Sequence, residues 1–255
     1  MDPLIADALL VIGGFVAGVL NVLAGGGSLL TLPLLLFTGH PALLANGTNR
    51  VAILVQGVVA TAGFRSGGED GLREGLRLAI PMTAGAVAGA AAALALGPIR
   101  FQRALGVILL VMAVLVLLRR PPATAPPHGA DRTGARRRGL LLVSMLALGF
   151  YAGFVQAGVG VLLLAALVSL GGHRPVHANA IKIVVIATST VVSLAIYAAH
   201  GEVDWRAGTA LALGMGAGGW SGARLQLGDG GERWVRGALA VAVLAAAVKL
   251  LADRA

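Results

Sequence analysis

The chain has 255 residues, of which 57% are hydrophobic and only 12% are charged. Soluble domains contain about 25% charged residues, so this composition excludes an ordinary soluble protein and predicts an integral membrane protein. The formal net charge of +9 falls mainly in loops, which indicates membrane orientation and argues against a nucleic-acid-binding protein. Without cysteine there are no disulfides or thiolate metal sites, and the histidines show no metal-binding spacing, so no cofactor is predicted.

Apolar stretches predict the membrane elements of the first half, residues 1–118. They run over 4–23, 28–39, 43–64, 75–96 and 100–118. The second stretch follows a glycine break, AGGGS at 24–28. At ~1.5 Å per residue it is too short to cross a bilayer about 30 Å thick. This half therefore predicts a glycine-broken hairpin followed by three transmembrane helices.

A segment rich in proline and arginine, residues 119–138, predicts an exposed basic linker between the halves. The second half, residues 139–255, then repeats the order of the first. Its apolar stretches are 139–157, 159–171, 178–199, 206–224 and 234–251. The second of these is again short and follows a glycine break, AGVG at 157–160.

The two halves resemble each other at a shift of 133 residues. Aligned pairs include Asn46 with Asn179, Glu69 with Glu202, and Arg100 with Arg233. Chance matches between apolar helices are common because these helices share a few residue types. Matches at asparagine, glutamate and arginine are less readily explained by chance. We therefore predict an internal duplication. Short, glycine-interrupted segments at matching positions of two repeats are typical of the binding site of a secondary transporter.

The arginines predict how the chain is oriented in the cytoplasmic (inner) membrane. The positive-inside rule places the linker and the loops at 65–77 and 224–236 in the cytoplasm. The loops at Arg100 and Glu202 then lie outside. This holds if each hairpin re-enters on one side, because each half then crosses three times and the second repeat is inverted. A broken hairpin that instead crosses the membrane once would give each half four crossings, a different parity.

Polar clusters stand at the start of the third apolar stretch of each half. The first is Asn46-Gly47-Thr48-Asn49-Arg50 and the second is Asn179-Ala180-Ile181-Lys182. About one helical turn separates the amide from the cation, so each cluster could hold a small oxyanion. Alternatively, the cations extend to the membrane interface from a helix end. Their nearly equivalent positions in both repeats favour function, because charges inside a membrane are costly.

The glycine breaks supply the other predicted contacts. Each precedes a new helix, whose free amides and positive dipole end suit an anion, and the two ends could face one another. Asn21 and Gln156, just before the breaks, either bind substrate or cap frayed backbone. The predicted substrate site comprises Asn21, Gly25, Gly26, Gly27, Ser28, Asn46, Thr48, Asn49, Arg50, Gln156, Gly158, Gly160, Asn179 and Lys182.

The other polar and small residues of the spans are predicted to be structural. Gln56 is expected to bond to a neighbouring helix. The small-residue spacing of several glycines predicts close helix packing. These are Gly85, Gly89, Gly214, Gly216, Gly218, Gly219 and Gly222. The histidines near helix ends are expected at the interface, although any of them could titrate in a proton-linked cycle.

Several motifs together resemble the TauE/SafE family of sulfite exporters and related anion permeases. They are GFVAGVLNVLAGGGSLLTLPLLL and ANGTNRVAIL in the first half, and GFYAGFVQAGVG, HANAIKIVVI and GEVDW in the second. The resemblance covers nearly the whole chain. It implies export of small sulfur-containing anions such as sulfite or sulfonates across the cytoplasmic membrane. The first half departs from the GEVDW pattern at residues 68–71, which read GEDG.

Together these features predict an all-α integral membrane protein of two inverted repeats that acts as a secondary transporter, an exporter of small sulfur-containing or organic anions. Its expected partners are the anion and the lipid bilayer, and the sequence leaves open whether copies of the chain form a homo-oligomer. An anion channel or a non-transporting accessory subunit are the alternatives. An enzyme is disfavoured, because no span carries paired carboxylates or an activated nucleophile.

Overall fold

The computed structural model describes residues 2–118 and 134–227, which form helices with short connections and no β-strand. The helices are α1 (Pro3–Ala24), α2 (Ser28–Phe37), α3 (Ala42–Ser66), α4 (Leu72–Leu96), α5 (Pro98–Leu118), α6 (Ala135–Phe154), α7 (Val159–Ser169), α8 (Pro175–Ala199) and α9 (Trp205–Leu227). The predicted all-helical class is confirmed for these residues. The predicted stretch 234–251 and most of the linker lie outside them.

Six of the described helices are long and apolar enough to cross a membrane, namely α1, α3, α4, α5, α6 and α8. A multi-pass membrane protein is thereby confirmed. As predicted, α2 and α7 are too short to span, with 10 and 11 residues. Helix α9 has 23 residues but is not among the six. Its many glycines contribute little hydrophobicity and serve packing instead.

The start of α6 corrects the predicted linker boundary. The basic segment was expected to extend to residue 138, but α6 begins at Ala135 and includes Arg136, Arg137 and Arg138. Arginine is a good helix former, so the membrane helix continues into its polar flank. At its other end α6 stops at Phe154, before the predicted 157, because the backbone unwinds ahead of α7.

Helices α3 and α8 form the centre of the molecule. In the most apolar 18-residue stretch of each helix, 67% of α3 and 61% of α8 is buried inside the protein. The corresponding share of α5, at the periphery, is 17%. The two central helices run antiparallel, because Gly47 lies against Tyr197 while Gly57, further along α3, lies against Ala187. Large apolar side chains of the outer helices face outward, including Ile12, Ile80 and Val107, as expected for surfaces covered by lipid.

The first hairpin returns to the end of the molecule at which it begins. Gly13 of α1 lies against Leu34 of α2, while Gly27 lies against Ala17, so the two arms are antiparallel. Both outer ends reach the region where α8 leads into α9: Asp7 accepts from Arg206 in the first turn of α9 at 2.9 Å, and His40 lies 3.1 Å from Asp204 in the connection.

The second hairpin does the same at the opposite end. Arg137 at the start of α6 donates to the Ser169 carbonyl at the end of α7, at 3.3 Å. The α7–α8 connection meets the α3–α4 connection, where His177 lies 3.1 Å from Glu69. The two hairpins therefore enter from opposite ends and meet in the middle.

Glycines bring two pairs of helices into backbone contact. A Cβ on Gly85 of α4 would lie 2.7 Å from the Phe150 nitrogen of α6, and one on Gly214 of α9 would lie 2.8 Å from the Phe15 nitrogen of α1. Gly89 and Gly218 continue these contacts one turn further on. Close packing is thereby confirmed for these four glycines, whereas Gly216 leaves room for an ordinary van der Waals contact at 3.4 Å.

We expect Gly89→Leu to destabilise the protein, because its side chain would meet the α6 backbone. Overpacking of this kind costs about 1–3 kcal/mol. The matched control is Gly106→Leu in α5, where a Cβ would have no neighbour within 4 Å. Thermal unfolding in detergent should show a lower midpoint for Gly89→Leu alone. Equal midpoints for the two variants would contradict close α4–α6 packing.

Candidate functional site

The two glycine breaks touch at the centre of the molecule. Gly25, which ends α1, has φ +81°, and Gly158, which precedes α7, has φ +68°. Glycine adopts this left-handed conformation without steric cost, which is why the chain can reverse at both places. A Cβ on Gly160 would lie 2.7 Å from the Gly25 Cα. The breaks thus face one another, as the sequence predicted.

The Ser28 hydroxyl joins the two breaks. It donates to the Gln156 carbonyl at 2.8 Å and accepts from the Gly158 amide at 3.0 Å. Ser28 is only 2% exposed. The Gly158 amide is therefore already paired in this arrangement, whereas the sequence had suggested that it is presented to an anion.

Arg50 caps the broken end of α6. The last carbonyls of a helix have no partner within it, and they carry the negative end of the helix dipole. One terminal nitrogen of Arg50 donates to the Ala152 and Gly153 carbonyls at 3.1 and 2.6 Å. The other donates to the Ser193 hydroxyl at 2.8 Å. The guanidinium also lies 4.5 Å from the centre of the Tyr197 ring, which suits a cation.

Lys182 caps the broken end of α1 in the same way. Its ammonium group donates to the Asn21 and Val22 carbonyls, both at 3.0 Å. Arg50 and Lys182 are each 1% exposed. Their charged groups therefore do not extend to the interface, which removes that alternative. Each cation comes from one half of the chain and binds the hairpin of the other half.

Amide side chains near the breaks form hydrogen bonds to the surrounding segments. Asn46 donates to the Phe154 carbonyl at 3.0 Å and to the Tyr197 hydroxyl at 2.8 Å. Asn49 accepts from Thr31 at 2.7 Å. Gln156 donates to Thr190 at 2.8 Å. These contacts hold α2, the end of α6 and the second break against the two central helices.

Asn21 and Gln56 pair with each other rather than with the breaks. Asn21 donates to the Gln56 carboxamide at 2.7 Å, and Gln56 donates to the Gly18 carbonyl at 2.8 Å. The expectation that Gln56 bonds to a neighbouring helix is confirmed.

Three further predicted residues have local roles in this arrangement. The Thr48 hydroxyl accepts from the Asp204 amide at 2.9 Å, so it engages the α8–α9 connection rather than the breaks. The Gly26 and Gly27 carbonyls accept the first amides of α2. Gly27 also packs directly on the Ala17 carbonyl, where a larger residue would not fit.

Four buried polar atoms of the predicted site have no protein partner among the described residues: Asn46 Oδ1, Asn49 Nδ2, Arg50 Nε and Asn179 Oδ1. Buried polar groups are almost always hydrogen-bonded in native proteins. Two of these atoms are donors and two are acceptors. The two donors, on the neighbouring residues Asn49 and Arg50, are suited to a small polar ligand or to water. Asn179 lies further off, beside the residues that contact Gly71 near the α3–α4 connection.

Several polar residues of the centre were missed by the sequence analysis. They are Thr31, Thr190, Ser193 and Tyr197. Residues 190, 193 and 197 follow helical spacing, so they form one polar face of α8. That spacing was readable in the sequence, but the surrounding aliphatic residues made the segment look like a plain span.

The ionisable side chains buried at the centre are basic. Arg50 and Lys182 are buried, whereas no aspartate or glutamate is buried among residues 2–118 and 134–227. Backbone carbonyls offset the two charges only with partial charges. An uncompensated positive charge in a low-dielectric interior attracts a small anion strongly.

Comparison with known proteins agrees with this architecture. Residues 10–250 match the family model described as sulfite exporter TauE/SafE. A "probable membrane transporter protein" of Haemophilus influenzae is 28% identical over 88% of this chain and 86% of its own. The ORF9 protein of Sinorhizobium sp, with the same description, is 29% identical over 96% and 92%. The YfcA protein of Escherichia coli K12, again so described, is 27% identical over 99% and 92%.

No solved structure matches the chain significantly. The family model nonetheless spans nearly the whole sequence, and the described helices are those of a multi-pass membrane protein. The chain therefore belongs to the sulfite exporter TauE/SafE family of membrane transporters.

Proposed function

We propose that the protein is a secondary transporter that exports small sulfur-containing or organic anions, such as sulfite or sulfonates, across the inner membrane. The observation that carries this proposal is the pair of buried cations, Arg50 and Lys182, with no buried carboxylate among the described residues. A charge held inside a membrane protein usually serves the transported ion. Two positive charges at the meeting point of the hairpins favour an anion over a cation.

The unpaired atoms favour a small oxyanion. Asn49 Nδ2 and Arg50 Nε are donors without a partner, and they suit the oxygens of such an ion. Asn46 Oδ1 is an acceptor one helical turn from Arg50, and it suits the hydroxyl of a protonated oxyanion or a water that accompanies it. Asn179 precedes Ala180, which lies against Gly71 near the α3–α4 connection, so its acceptor is separate from this group. A purely apolar ligand beside Arg50 would leave the donors of Asn49 and Arg50 unpaired.

The helix packing supports an internal duplication with inverted repeats. If α1–α4 correspond to α6–α9, the contact of α1 with α9 corresponds to that of α6 with α4. The contact of α3 with α9 likewise corresponds to that of α8 with α4. The equivalent helices α3 and α8 are antiparallel, and the hairpins enter from opposite ends, as inversion requires.

Alternating access follows from movement of one half against the other. Such movement must break the contacts of Arg50 and Lys182 with the opposite hairpin. An anion can replace those carbonyls as the partner of the cation, because it carries a full negative charge. Anion binding would then weaken the contacts that hold the two breaks together.

The arginines support the proposed orientation. The end of the molecule with the α3–α4 connection carries Arg65, Arg73, Arg77, Arg136, Arg137, Arg138, Arg174 and Arg224. The opposite end carries Arg100, Arg103 and Arg206. By the positive-inside rule, this distribution supports a cytoplasmic position for the α3–α4 connection.

The primary test is uptake and counterflow of radiolabelled sulfite in proteoliposomes containing the purified chain. We expect saturable uptake that internal unlabelled sulfite accelerates, because a carrier exchanges substrate across the membrane. Taurine, sulfoacetate and sulfate are the competitors that define the substrate class. Uptake without counterflow acceleration would indicate a channel. If correctly inserted protein moves none of these anions, the substrate assignment is wrong.

Lys182→Met should abolish anion transport while the protein stays folded. Methionine preserves much of the side-chain volume but removes the charge, and the two carbonyls that lose a partner cost about 1–3 kcal/mol of stability. Counterflow measures the loss, and gel filtration with thermal unfolding checks the fold. Arg224→Met is the control, because Arg224 is exposed and stacks on Trp220 away from the breaks. Wild-type transport by both Lys182→Met and Arg50→Gln would refute the central site.

Asn49→Asp should reduce sulfite transport, and thermal unfolding in detergent checks that the buried carboxylate leaves the protein folded. The change is isosteric, and the aspartate can still accept from Thr31, but the unpaired donor becomes a carboxylate oxygen. A hydrogen bond to a charged group contributes about 1.5–3 kcal/mol, so uptake at low sulfite should fall by about tenfold or more. Asn49→Ser removes the donor without adding charge and should have a smaller effect. Unchanged uptake by Asn49→Asp would exclude this atom from the anion path.

A further inference from the structure

Two histidines and a glutamate converge at the end of the molecule that carries the α3–α4 connection. They are Glu74 in the first turn of α4, His173 in the α7–α8 connection and His177 in the first turn of α8. Their ligand atoms all lie within 4.8 Å of one another. The separation of four residues between His173 and His177 was overlooked in the sequence, where no metal-binding spacing of histidines was predicted. The proposed anion path uses none of these residues.

The three side chains place their possible ligand atoms close together. His173 Nε2 lies 3.2 Å from one oxygen of Glu74, and His177 Nε2 lies 3.7 Å from the other. The side chains are partly covered, with exposures of 16% for His173, 29% for His177 and 44% for Glu74. The cluster is therefore held in place and yet open to water.

A second carboxylate orients one of the rings. His177 Nδ1 lies 3.1 Å from Glu69, which leaves its Nε2 directed toward Glu74. Arg174 lies 3.6 Å from Glu69 and positions that carboxylate in turn. A metal-binding histidine almost always donates its other ring nitrogen to such a partner, which sets the tautomer and the ring orientation.

We propose that Glu74, His173 and His177 form a binding site for a zinc-class transition metal ion, with Glu69 as the outer carboxylate. Two imidazoles and one carboxylate are a common zinc set, with water in the remaining position. Calcium and magnesium prefer oxygen ligands alone and do not fit two histidines. Zinc bonds of about 2.0–2.2 Å require the ligand atoms to approach one another, which small side-chain rotations supply.

The opposite end of the molecule provides an internal comparison. At the shift of 133 residues His40 corresponds to His173, and it lies 3.1 Å from Asp204. Leu44 stands where the counterpart of His177 would be. That end therefore pairs one histidine with one carboxylate, and among residues 2–118 and 134–227 the set of three ligands occurs at the end with the α3–α4 connection.

The site joins the two halves of the chain. Glu69 and Glu74 come from the first half, whereas His173 and His177 come from the second. A bound metal ion would therefore link α4 to α8 and stabilise the arrangement described here. This inference does not depend on the proposed substrate, because the ligands lie at the end of the molecule and outside the central path.

The test is isothermal titration of tag-free, detergent-solubilised protein with zinc chloride at pH 7.5. We expect one zinc ion per chain and a higher unfolding temperature in its presence. The variant Glu69→Gln, which removes the outer carboxylate, should weaken zinc binding about 10–100-fold. Loss of a direct ligand should weaken it at least as much in His173→Ala, His177→Ala and Glu74→Gln. His40→Ala and His200→Ala are the matched controls and should bind zinc like the wild type.

Two further measurements keep the result interpretable. Unfolding without metal checks that each variant is folded, and the visible absorption of bound Co²⁺ should disappear in His177→Ala. Binding should also weaken at pH 5.5, below the usual histidine pKa of about 6.5. Equal zinc affinity in all variants, or no zinc binding by the wild type, would overturn the proposal. Stability that depends on pH through His177 without zinc binding would assign the cluster to a pH-sensitive ion-pair network instead.

Discussion

The structure depends on how the backbone of two broken helices is satisfied inside a membrane. A helix that ends in the bilayer leaves carbonyls without partners, and lipid cannot supply hydrogen bonds. Here Arg50 and Lys182 supply them, each from the half of the chain opposite to the hairpin that it caps. The same contacts therefore satisfy the backbone, join the two halves and bring positive charge to the centre.

Glycine makes this arrangement sterically feasible. At the breaks, Gly25 and Gly160 allow the hairpins to touch, and no larger residue would fit between them. Between helices, the glycines of α4 and α9 let α6 and α1 approach to backbone contact. Helices inside a membrane cannot associate through the hydrophobic effect, so close packing of this kind contributes strongly to their association. The closely packed pairs α1–α9 and α4–α6 thus flank the central helices that carry the polar residues.

Charge is distributed so that the centre and the two ends of the molecule have different chemistry. The buried centre holds the basic side chains of Arg50 and Lys182 without carboxylates among the described residues, as the proposed transport of an anion requires. Histidines and acidic residues meet at the ends, where water is available to the charged forms. The two ends are similar but not identical, because His177 has a leucine counterpart at residue 44. The end with the α3–α4 connection therefore has a second histidine beside its carboxylates, where the opposite end has a leucine.

The sequence by itself determined the membrane class, the helix positions, the two short arms and the glycine breaks. These features depend on hydropathy, length and conformational preference, which are properties of neighbouring residues. It also located the unusual charges, Arg50 and Lys182. Only the tertiary structure decided that these charges cap opposite hairpins, that Tyr197 and Ser193 join Arg50, and that Glu74 meets His173 and His177. Those contacts join residues about 100 or more positions apart in the chain. No local pattern encodes such pairings, because they arise from how the helices pack.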